Sequence, residues 1–493
     1  MKVEIRNLGV IKEKANIELK PLTVFIGPNN AGKTWLAYSL AGILGPFGWG
    51  EYAEAYADEK VPHSYEQIDK AITRVLADGN ATIDLHRFAD EYGEKYINDV
   101  AQYARNWMHR FLRTQLAHFD DIDISLSLGK TKEDFLNRVS RYARTSRVAG
   151  SVLTIRKSRG EGKVFAFTST ELQETEGQEE QLEETIPPEE VRERLVGFVS
   201  TALRQSLYPQ IRVFPMERTT LVTLRFAERV ADRVQPAINE RVIEALEVLA
   251  KELDMSEIAE QKRAVREATW LIGSFMSMLH DIFKQRPTDR EARERQARID
   301  PNINRYIQLA EILENKILTG SVYLSTPETD PGREVLFQPT QDINLEIPIV
   351  SSMVKELSPL VLYLRQLARP GELLIIDEPE MNLHPAAQVK IIEFLAMLVN
   401  AGLHVLITTH STYVIDHLTN LMDAYKHKNQ DEIAEMFLLE QKEAFISQEK
   451  VSVYGVENGK VKNILDPQGI INWKTFSDVT KYVERIHFEL LGE

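Results

Sequence analysis

A chain of 493 residues is too long for one compact core, so two or three structural units are expected. Hydrophobic residues make up 43% and charged residues 27%, an ordinary globular composition without an apolar run long enough for a membrane span, and the absence of cysteine excludes disulfides, thiol catalysis and zinc–cysteine sites. The net charge of −15 argues against a surface that is basic all over, while leaving room for a local basic stripe that could meet nucleic acid.

The chain opens with MKVEIRNLGVIKEKANIEL, which alternates charged and apolar residues and lacks the continuous apolar centre of a secretion signal. With no cysteine present, a cytoplasmic protein is the expectation. Residues 2–7 and 16–20 alternate like half-buried strands, and 22–27 is a continuously apolar strand. That strand runs into Gly27-Pro28-Asn29-Asn30-Ala31-Gly32-Lys33-Thr34, which fits the phosphate-binding pattern G-x-x-x-x-G-K-[ST], and a helix-like segment from Trp35 to Leu44 follows. In this context backbone N–H groups and a helix N-terminus can cradle phosphate oxygens. Gly27, Asn29, Asn30, Ala31 and Gly32 are therefore expected to line a nucleotide, with Lys33 reaching its β- and γ-phosphates and Thr34 holding Mg²⁺.

Residues 51–120 read as mostly helical, and Ile122 to Leu128 alternates again. Residues 152–156 and 163–167, separated by Lys157-Ser-Arg-Gly-Glu-Gly, read as a hairpin. Between 171 and 190 stand nine glutamates and no lysine or arginine, the signature of a solvated loop or tether rather than an interaction tail. From about 190 to 318 the pattern is helical, with Val230, Val234, Ile238, Val242, Leu246, Leu249 and Leu253 at helical spacing and Pro236 as a kink. The stripe covers roughly three heptads, too few for a long coiled-coil arm. Arginines interleaved with acids over 284–298 favour a solvated helix over a nucleic-acid contact.

Strands return at Ser321–Leu324 and Val335–Gln338, then at Glu372–Asp377 and His404–Thr409 with helical segments between them. Such alternation predicts a sheet covered by helices. Val451–Val456, Asn458-Gly459 and Lys460–Leu465 form a strong hairpin signal. The strand Leu373–Ile376 delivers Asp377 and Glu378 to its C-terminal edge, where open α/β sheets bind ligands. A hard cation prefers oxygen, so Asp377 is expected to bind Mg²⁺, with Glu378 orienting or deprotonating a water. The next apolar strand ends in Thr408-Thr409-His410-Ser411, which would aim the His410 imidazole at a γ-phosphate.

GPNNAGKT, LLIIDEPEMNLHP and ITTHS together resemble the ABC-type ATPase family, and most closely its soluble branch. That branch includes the overcoming-lysogenization-defect (OLD) ATPases, the RecF, Rad50 and SMC proteins, and the ATPases of bacterial anti-phage systems. The run Asp377-Glu378-Pro379-Glu380-x-x-Leu383-His384-Pro385 is typical of OLD-like members, whereas transporters carry DEP-[ST]-x-x-L-D. The resemblance implies an α/β fold: an ABC-ATPase head with an antiparallel β lobe, a mainly parallel α/β lobe and large helical insertions. Residues 1–50 and 121–225 would form the first lobe, 51–120 and 226–317 the helical insertions, and 318–493 the second lobe.

The resemblance also implies a signature segment before the carboxylate strand. Ile349-Val350-Ser351-Ser352-Met353-Val354-Lys355-Glu356-Leu357 stands in that place, with Met353 where a glycine is common. Ser351 and Ser352 would contact a γ-phosphate presented by another subunit, and Ser351 also reads as a simple helix cap. The glutamine loop has no secure position; it is sought near Gln210 to Arg218, where PMER resembles a P-A-E-R segment. Arg218 there would either support the site or a neighbouring subunit, or form a structural ion pair.

ATP and Mg²⁺ are the implied substrate and metal. A homodimer or higher even oligomer with ATP sandwiched between protomers is the implied assembly. An ATPase subunit of an anti-phage complex, similar to those of the PARIS or Septu systems, is the leading expectation. It would control a separate effector such as a nuclease, with DNA or a phage protein as a possible trigger and no membrane partner. A RecF-like DNA-repair ATPase is the alternative. After His410 about 80 residues remain, without the E-G…D-x-D pattern of a TOPRIM nuclease. The absent L-S-G-G-Q and the helical insert count against a transporter ATPase, and the short stripe counts against Rad50 and SMC.

Overall fold

The computed structural model describes residues 1–473 apart from 113, 116–118, 120, 148–152, 169–186, 224–269, 285–286 and 326–334, together with 482, 485–486 and 488–490. Most of the glutamate run, and the whole stripe from Val230 to Leu253 with Pro236, lie outside the described residues.

In chain order the first half holds β1 (Lys2–Arg6), β2 (Ala15–Glu18), β3 (Leu22–Ile26), α1 (Lys33–Leu44), α2 (Pro46–Ala57), α3 (Glu66–Asp78), β4 (Asn80–Asp84), α4 (Leu85–Gln102), α5 (Met108–Phe111), β5 (Asp123–Ser127), α6 (Lys132–Arg141), β6 (Arg144–Arg147), β7 (Leu153–Lys157), β8 (Lys163–Thr168), α7 (Pro188–Leu207) and β9 (Ile211–Phe214). The second half holds α8 (Trp270–Lys284), α9 (Pro287–Ile299), α10 (Pro301–Ile312), β10 (Ser321–Leu324), β11 (Val335–Thr340), β12 (Ile343–Glu346), α11 (Ser352–Gln366), β13 (Leu373–Asp377), α12 (Pro385–Asn400), β14 (His404–Thr409), α13 (Thr412–Lys426), β15 (Val451–Glu457) and β16 (Lys460–Asn463).

Two kinds of sheet follow from two kinds of sequence. The strands Lys2–Arg6 and Ala15–Glu18 bury every second residue and pair antiparallel, with Asp123–Ser127 on the other side of β1. The strands LTVFI and LLIID are buried at every position, as a parallel sheet covered on both faces requires. They lie in a six-stranded sheet of order β16-β15-β3-β14-β13-β9, parallel throughout except for β16.

This sheet separates two cores. Phe25, Val213, Ile375, Leu406 and Tyr454 face one core with α1, α2, α4 and α7, while Val24, Ile26, Ile376, Val405 and Ile407 face another with α8, α10, α11, α12 and α13. The fold is thus α/β, with an antiparallel lobe beside a mainly parallel one. Among the described residues no helix is long and apolar enough to cross a membrane.

The structure adds features that the pattern reading does not contain. The mostly helical stretch 51–120 includes β4, which pairs with β8 and so joins that stretch to the 153–168 hairpin in one sheet. Asn80–Asp84 is only five residues long and starts beside the left-handed Gly79 that ends α3, so its alternation is too brief to stand out. Residues 343–346 form an edge strand on β11. In the described part of 226–317, Phe275, Met278, Leu279, Ile282, Tyr306 and Leu309 lie in the second core, while Trp270 and Leu271 pack against the first. Arg293, read as part of a solvated face, instead donates to the Ala368 carbonyl at 2.6 Å.

Candidate functional site

Strand register builds the site. Ile26, the last residue of β3, pairs with Thr409 of β14 and with Gly455 of β15, while Asp377 at the end of β13 pairs with Thr408. The segments that leave these strands therefore emerge side by side at the C-terminal edge of one parallel sheet, the edge at which such sheets bind ligands.

The 27–34 loop turns directly from β3 into α1. Gly27 passes so close to β15 that a Cβ would stand 2.1 Å from the Val456 carbonyl oxygen, and Gly32 takes φ 100° as it caps α1. Asn30 is also left-handed, at φ 62°, and Asn29 and Asn30 are exposed at the loop tip beside half-buried Ala31. No side chain caps α1, and its first turn holds no acid, so its leading N–H groups remain available to an anion. Lys33 is buried, and its ammonium donates to the Gly27 and Pro28 carbonyls at 2.8 and 3.0 Å. Burial lowers the Lys33 pKa, and the facing carboxylates of Glu378, Asp377 and Glu380 oppose that shift.

The acidic half meets this loop directly. The Thr34 hydroxyl donates to Asp377 Oδ1 at 3.2 Å, a contact across 343 positions of sequence. Thr408 donates to the same oxygen. Asp377 is fully buried and its Oδ2 has no protein partner. Burial raises its pKa, and the hydroxyls around it counter only part of that rise. Tyr38, one turn further along α1, also faces Asp377; burial first and this carboxylate second push the phenol pKa up.

Glu378 follows with φ 48°, a left-handed conformation that is uncommon for a residue with a side chain. Its N–H donates to the Thr408 carbonyl and hydroxyl at 3.2 and 3.1 Å. The His410 Nδ1 lies 3.2 Å from Glu378 Oε1 and 3.9 Å from Glu380 Oε1, and the imidazole is 44% exposed. Behind it the buried Glu380 carboxylate accepts from the Thr409 hydroxyl at 2.6 Å and the His410 N–H at 3.0 Å. Burial raises the Glu380 pKa above the usual carboxylate range. A cavity of about 270 Å³ opens here, lined by Glu380, Leu383, Gln388, His410 and Tyr413 among others.

Lys33, Thr34, Asp377, Glu378 and His410 are thus brought together. Ser351 and Ser352 are exposed at the N-terminus of α11, and the Ser351 hydroxyl accepts from its own helix, from the Val354 N–H at 3.4 Å. Among the described residues, their helix meets the others through an intermediary. Arg218 donates to the carbonyls of Asp377 and Glu378 and lies 2.6 Å from Glu356, which stands on α11. Of the two readings of Arg218, the structure contains the ion pair, and the pair touches the backbone of the candidate site.

Tyr38, Thr408, Thr409 and Glu380 escaped the sequence reading. The threonines and Glu380 lie inside the quoted motifs, so adjacency to Asp377 and His410 was the available signal. Nothing in the pattern singles out Tyr38.

The donor set suits a hard cation. One hydroxyl and one carboxylate with an unpartnered buried oxygen fit Mg²⁺, which takes few protein ligands and fills its octahedron with phosphate oxygens and water. No cage of three or more His, Asp or Glu occurs among the described residues, as such a site needs none.

Comparison with known proteins gives three findings. No curated protein matches the chain. Among solved structures, the chain is similar to an Smc head domain with an extended coiled coil bound to the C-terminal domain of ScpA, from Pyrococcus furiosus, at 13% identity and TM-score 0.32 over 99% of this chain and 98% of that one. It is likewise similar to an SmcHead bound to the C-winged helix domain of ScpA (12%, TM-score 0.36, 94% and 96% covered) and to an SMC head domain from Thermotoga maritima (10%, TM-score 0.30, 94% and 97% covered). The third is a match to the AAA ATPase domain over residues 1–415, which takes in the 27–34 loop, both carboxylates and His410. With most of its length inside that match, the chain belongs to the AAA ATPase domain family.

Proposed function

We propose that this protein is an ABC-type ATPase that works as a nucleotide-driven switch, and that it is the regulatory ATPase subunit of a bacterial anti-phage complex controlling a separate effector. The observation that carries the ATPase reading is the 3.2 Å contact between the Thr34 hydroxyl, in the first turn of the helix that follows β3, and Asp377, at the end of the parallel strand β13. Phosphate-binding loop and acidic strand end share one edge, which is the arrangement phosphoryl transfer to water needs. The resemblance of Asp377 to Pro385 and of Ser351 to Leu357 to the OLD-like branch supports the defence assignment, which goes beyond the family itself.

In this reading the Gly27–Thr34 backbone and the α1 N-terminus bind the phosphates, and Lys33 exchanges its bonds to the loop carbonyls for β- and γ-phosphate oxygens. Thr34 and Asp377 would hold Mg²⁺, which when bound neutralises charge on those oxygens. Glu378 orients the attacking water and accepts its proton. His410, beside Glu378 and backed by Glu380, faces the γ-phosphate.

Ser351 and Ser352 stand exposed on a separate helix, which supports a role toward the nucleotide of a second copy. ATP then joins two protomers and hydrolysis releases them. The first lobe is assigned to 1–50 and 121–225, with 51–120 inserted, and the second to 318–493, with 226–317 inserted before it.

Glu378→Gln should keep nucleotide binding and slow turnover by about 10² to 10⁴-fold. Sizing with and without Mg-ATP should then show an ATP-dependent assembly that outlasts that of the parent. Parental turnover in this variant would remove Glu378 from the mechanism. Co-expression with the product of the adjacent gene tests the defence role: a stable complex with a nuclease or other effector supports it, and DNA-stimulated turnover without any partner points instead to the RecF-like alternative.

A further inference from the structure

Arg218 is absent from the mechanism above, yet it is among the most buried large side chains of the molecule, at 1% exposure. Its guanidinium makes four contacts. Nη1 donates to the Pro215 carbonyl at 3.0 Å and to the Asp377 carbonyl at 2.6 Å, and Nη2 donates to the Glu378 carbonyl at 2.9 Å. Nη2 also lies 2.6 Å from Glu356 Oε1, while the Thr219 hydroxyl donates to Glu356 Oε2.

Glu356 stands on α11, whose exposed N-terminus carries Ser351 and Ser352. One planar group therefore joins the helix that presents the two serines to the backbone of the two carboxylates. Desolvation offsets most of the attraction in a buried ion pair, so such a pair adds little net stability. What its fork-shaped geometry supplies is position.

Position is what Glu378 lacks by itself. At φ 48° its backbone occupies a region that a residue with a side chain holds only under constraint. Thr408 constrains its N–H and Arg218 constrains its carbonyl. The first tie comes from the neighbouring strand of the same sheet. The second runs to a different helix.

We infer that Arg218 is a positioning residue that fastens the Glu378 backbone to Glu356, so that the seat of the Ser351-capped helix sets where the Glu378 carboxylate stands. This rests on the ATPase reading given above and on the water-orienting role of Glu378 within it. A second copy that presses its nucleotide against Ser351 and Ser352 would thereby act on the geometry of Glu378 without touching it.

The test uses the full chain and Mg-ATP. Arg218→Lys keeps the charge and removes the fork. Glu356→Gln keeps the shape and an acceptor for Thr219. Each should lower kcat tenfold or more, while KM and the affinity for a fluorescent ATP analogue stay within about threefold and thermal melting stays cooperative. The double variant should be no slower than the slower single one, because the two residues act as one unit.

An unchanged kcat in Arg218→Lys overturns the inference, and so does a double variant whose loss is the product of the two single losses. A merely structural role would lower melting temperature and the titrated fraction of active sites, with kcat per active site intact. If Arg218→Lys does not melt cooperatively, Glu356→Gln carries the same criterion alone. A parent protein that hydrolyses no ATP overturns the ATPase reading and this inference together. Parental turnover that Lys33→Ala removes but Arg218→Lys and Glu356→Gln leave intact overturns this inference alone.

Discussion

The two halves of the strand-end site are held in different ways. The loop from Gly27 to Thr34 is shaped by its own backbone: Gly32 and Asn30 turn it, Gly27 lets it pass β15, and Lys33 bonds back to its carbonyls. The acidic half is held by side chains from elsewhere. Asp377, Glu378 and Glu380 are tied by Thr408, Thr409 and Arg218, and burial pushes the Asp377 and Glu380 pKa values up. A backbone-built loop tolerates changes around it. A side-chain-built carboxylate cluster carries the desolvation cost of its own burial, so its residues are held against stability.

Substitutions on each side should expose this difference. The largest effect is expected in the loop half, where Lys33→Ala removes an ammonium that faces the carboxylates. Mg-ATP turnover should fall by about a hundredfold or more, with little change in melting temperature. Parental turnover would remove the loop from the site.

Asp377→Asn should separate activity from stability on the acidic side. It keeps an acceptor for Thr34 and Thr408 and removes a buried charge, so the nucleotide-free protein should gain about 1 kcal/mol while turnover drops by about a hundredfold. A loss of stability in a denaturant titration would show that Asp377 is not strained by burial.

Thr408→Val keeps the shape of a fully buried residue and deletes a hydroxyl that serves both Asp377 and the Glu378 N–H. It should cost about 2 kcal/mol and slow turnover, because buried groups lose partners that water cannot replace. A neutral result in both assays would mean that strand pairing alone holds this half.

The smallest effect lies at the opposite end of the same strand. Burial, aided by the positive charge of Arg138, lowers the His404 pKa to about 4. Below its ordinary pKa of 6.5 the unfolded chain takes up a proton that the folded chain refuses, so stability falls as pH drops from 6.5 toward 4. Between pH 6.5 and 5 this should cost roughly 1–2 kcal/mol, and His404→Gln should flatten that part of the stability profile. An unchanged slope would assign acid sensitivity to other groups.

Elements whose cause is local can be read from the order of residues alone. Continuous apolar runs made LTVFI and LLIID buried parallel strands, alternation made Lys2–Arg6 and Ala15–Glu18 half-buried ones, and Asn458-Gly459 turned the last hairpin. Glycine at positions 27 and 32 spelled out a loop that folds on its own backbone. The identities of Lys33, Thr34, Asp377, Glu378 and His410 were readable for the same reason, since the first two open the helix that the glycine loop leads into and the other three stand at or just past strand ends marked by their neighbours.

Which residues stand side by side follows from the packed fold. The order β3-β14-β13 and its register set Thr34 against Asp377, and Thr408 and Thr409 against two different carboxylates. The pairing of β4 with β8, the inward turn of Arg293 and the joint contacts of Arg218 with Glu356 and the Asp377 and Glu378 carbonyls waited on contacts across long stretches of chain. Periodicity reports which face of an element is buried. It holds no information on which distant element buries it, and a charged side chain looks the same in sequence whether water or a carboxylate receives it.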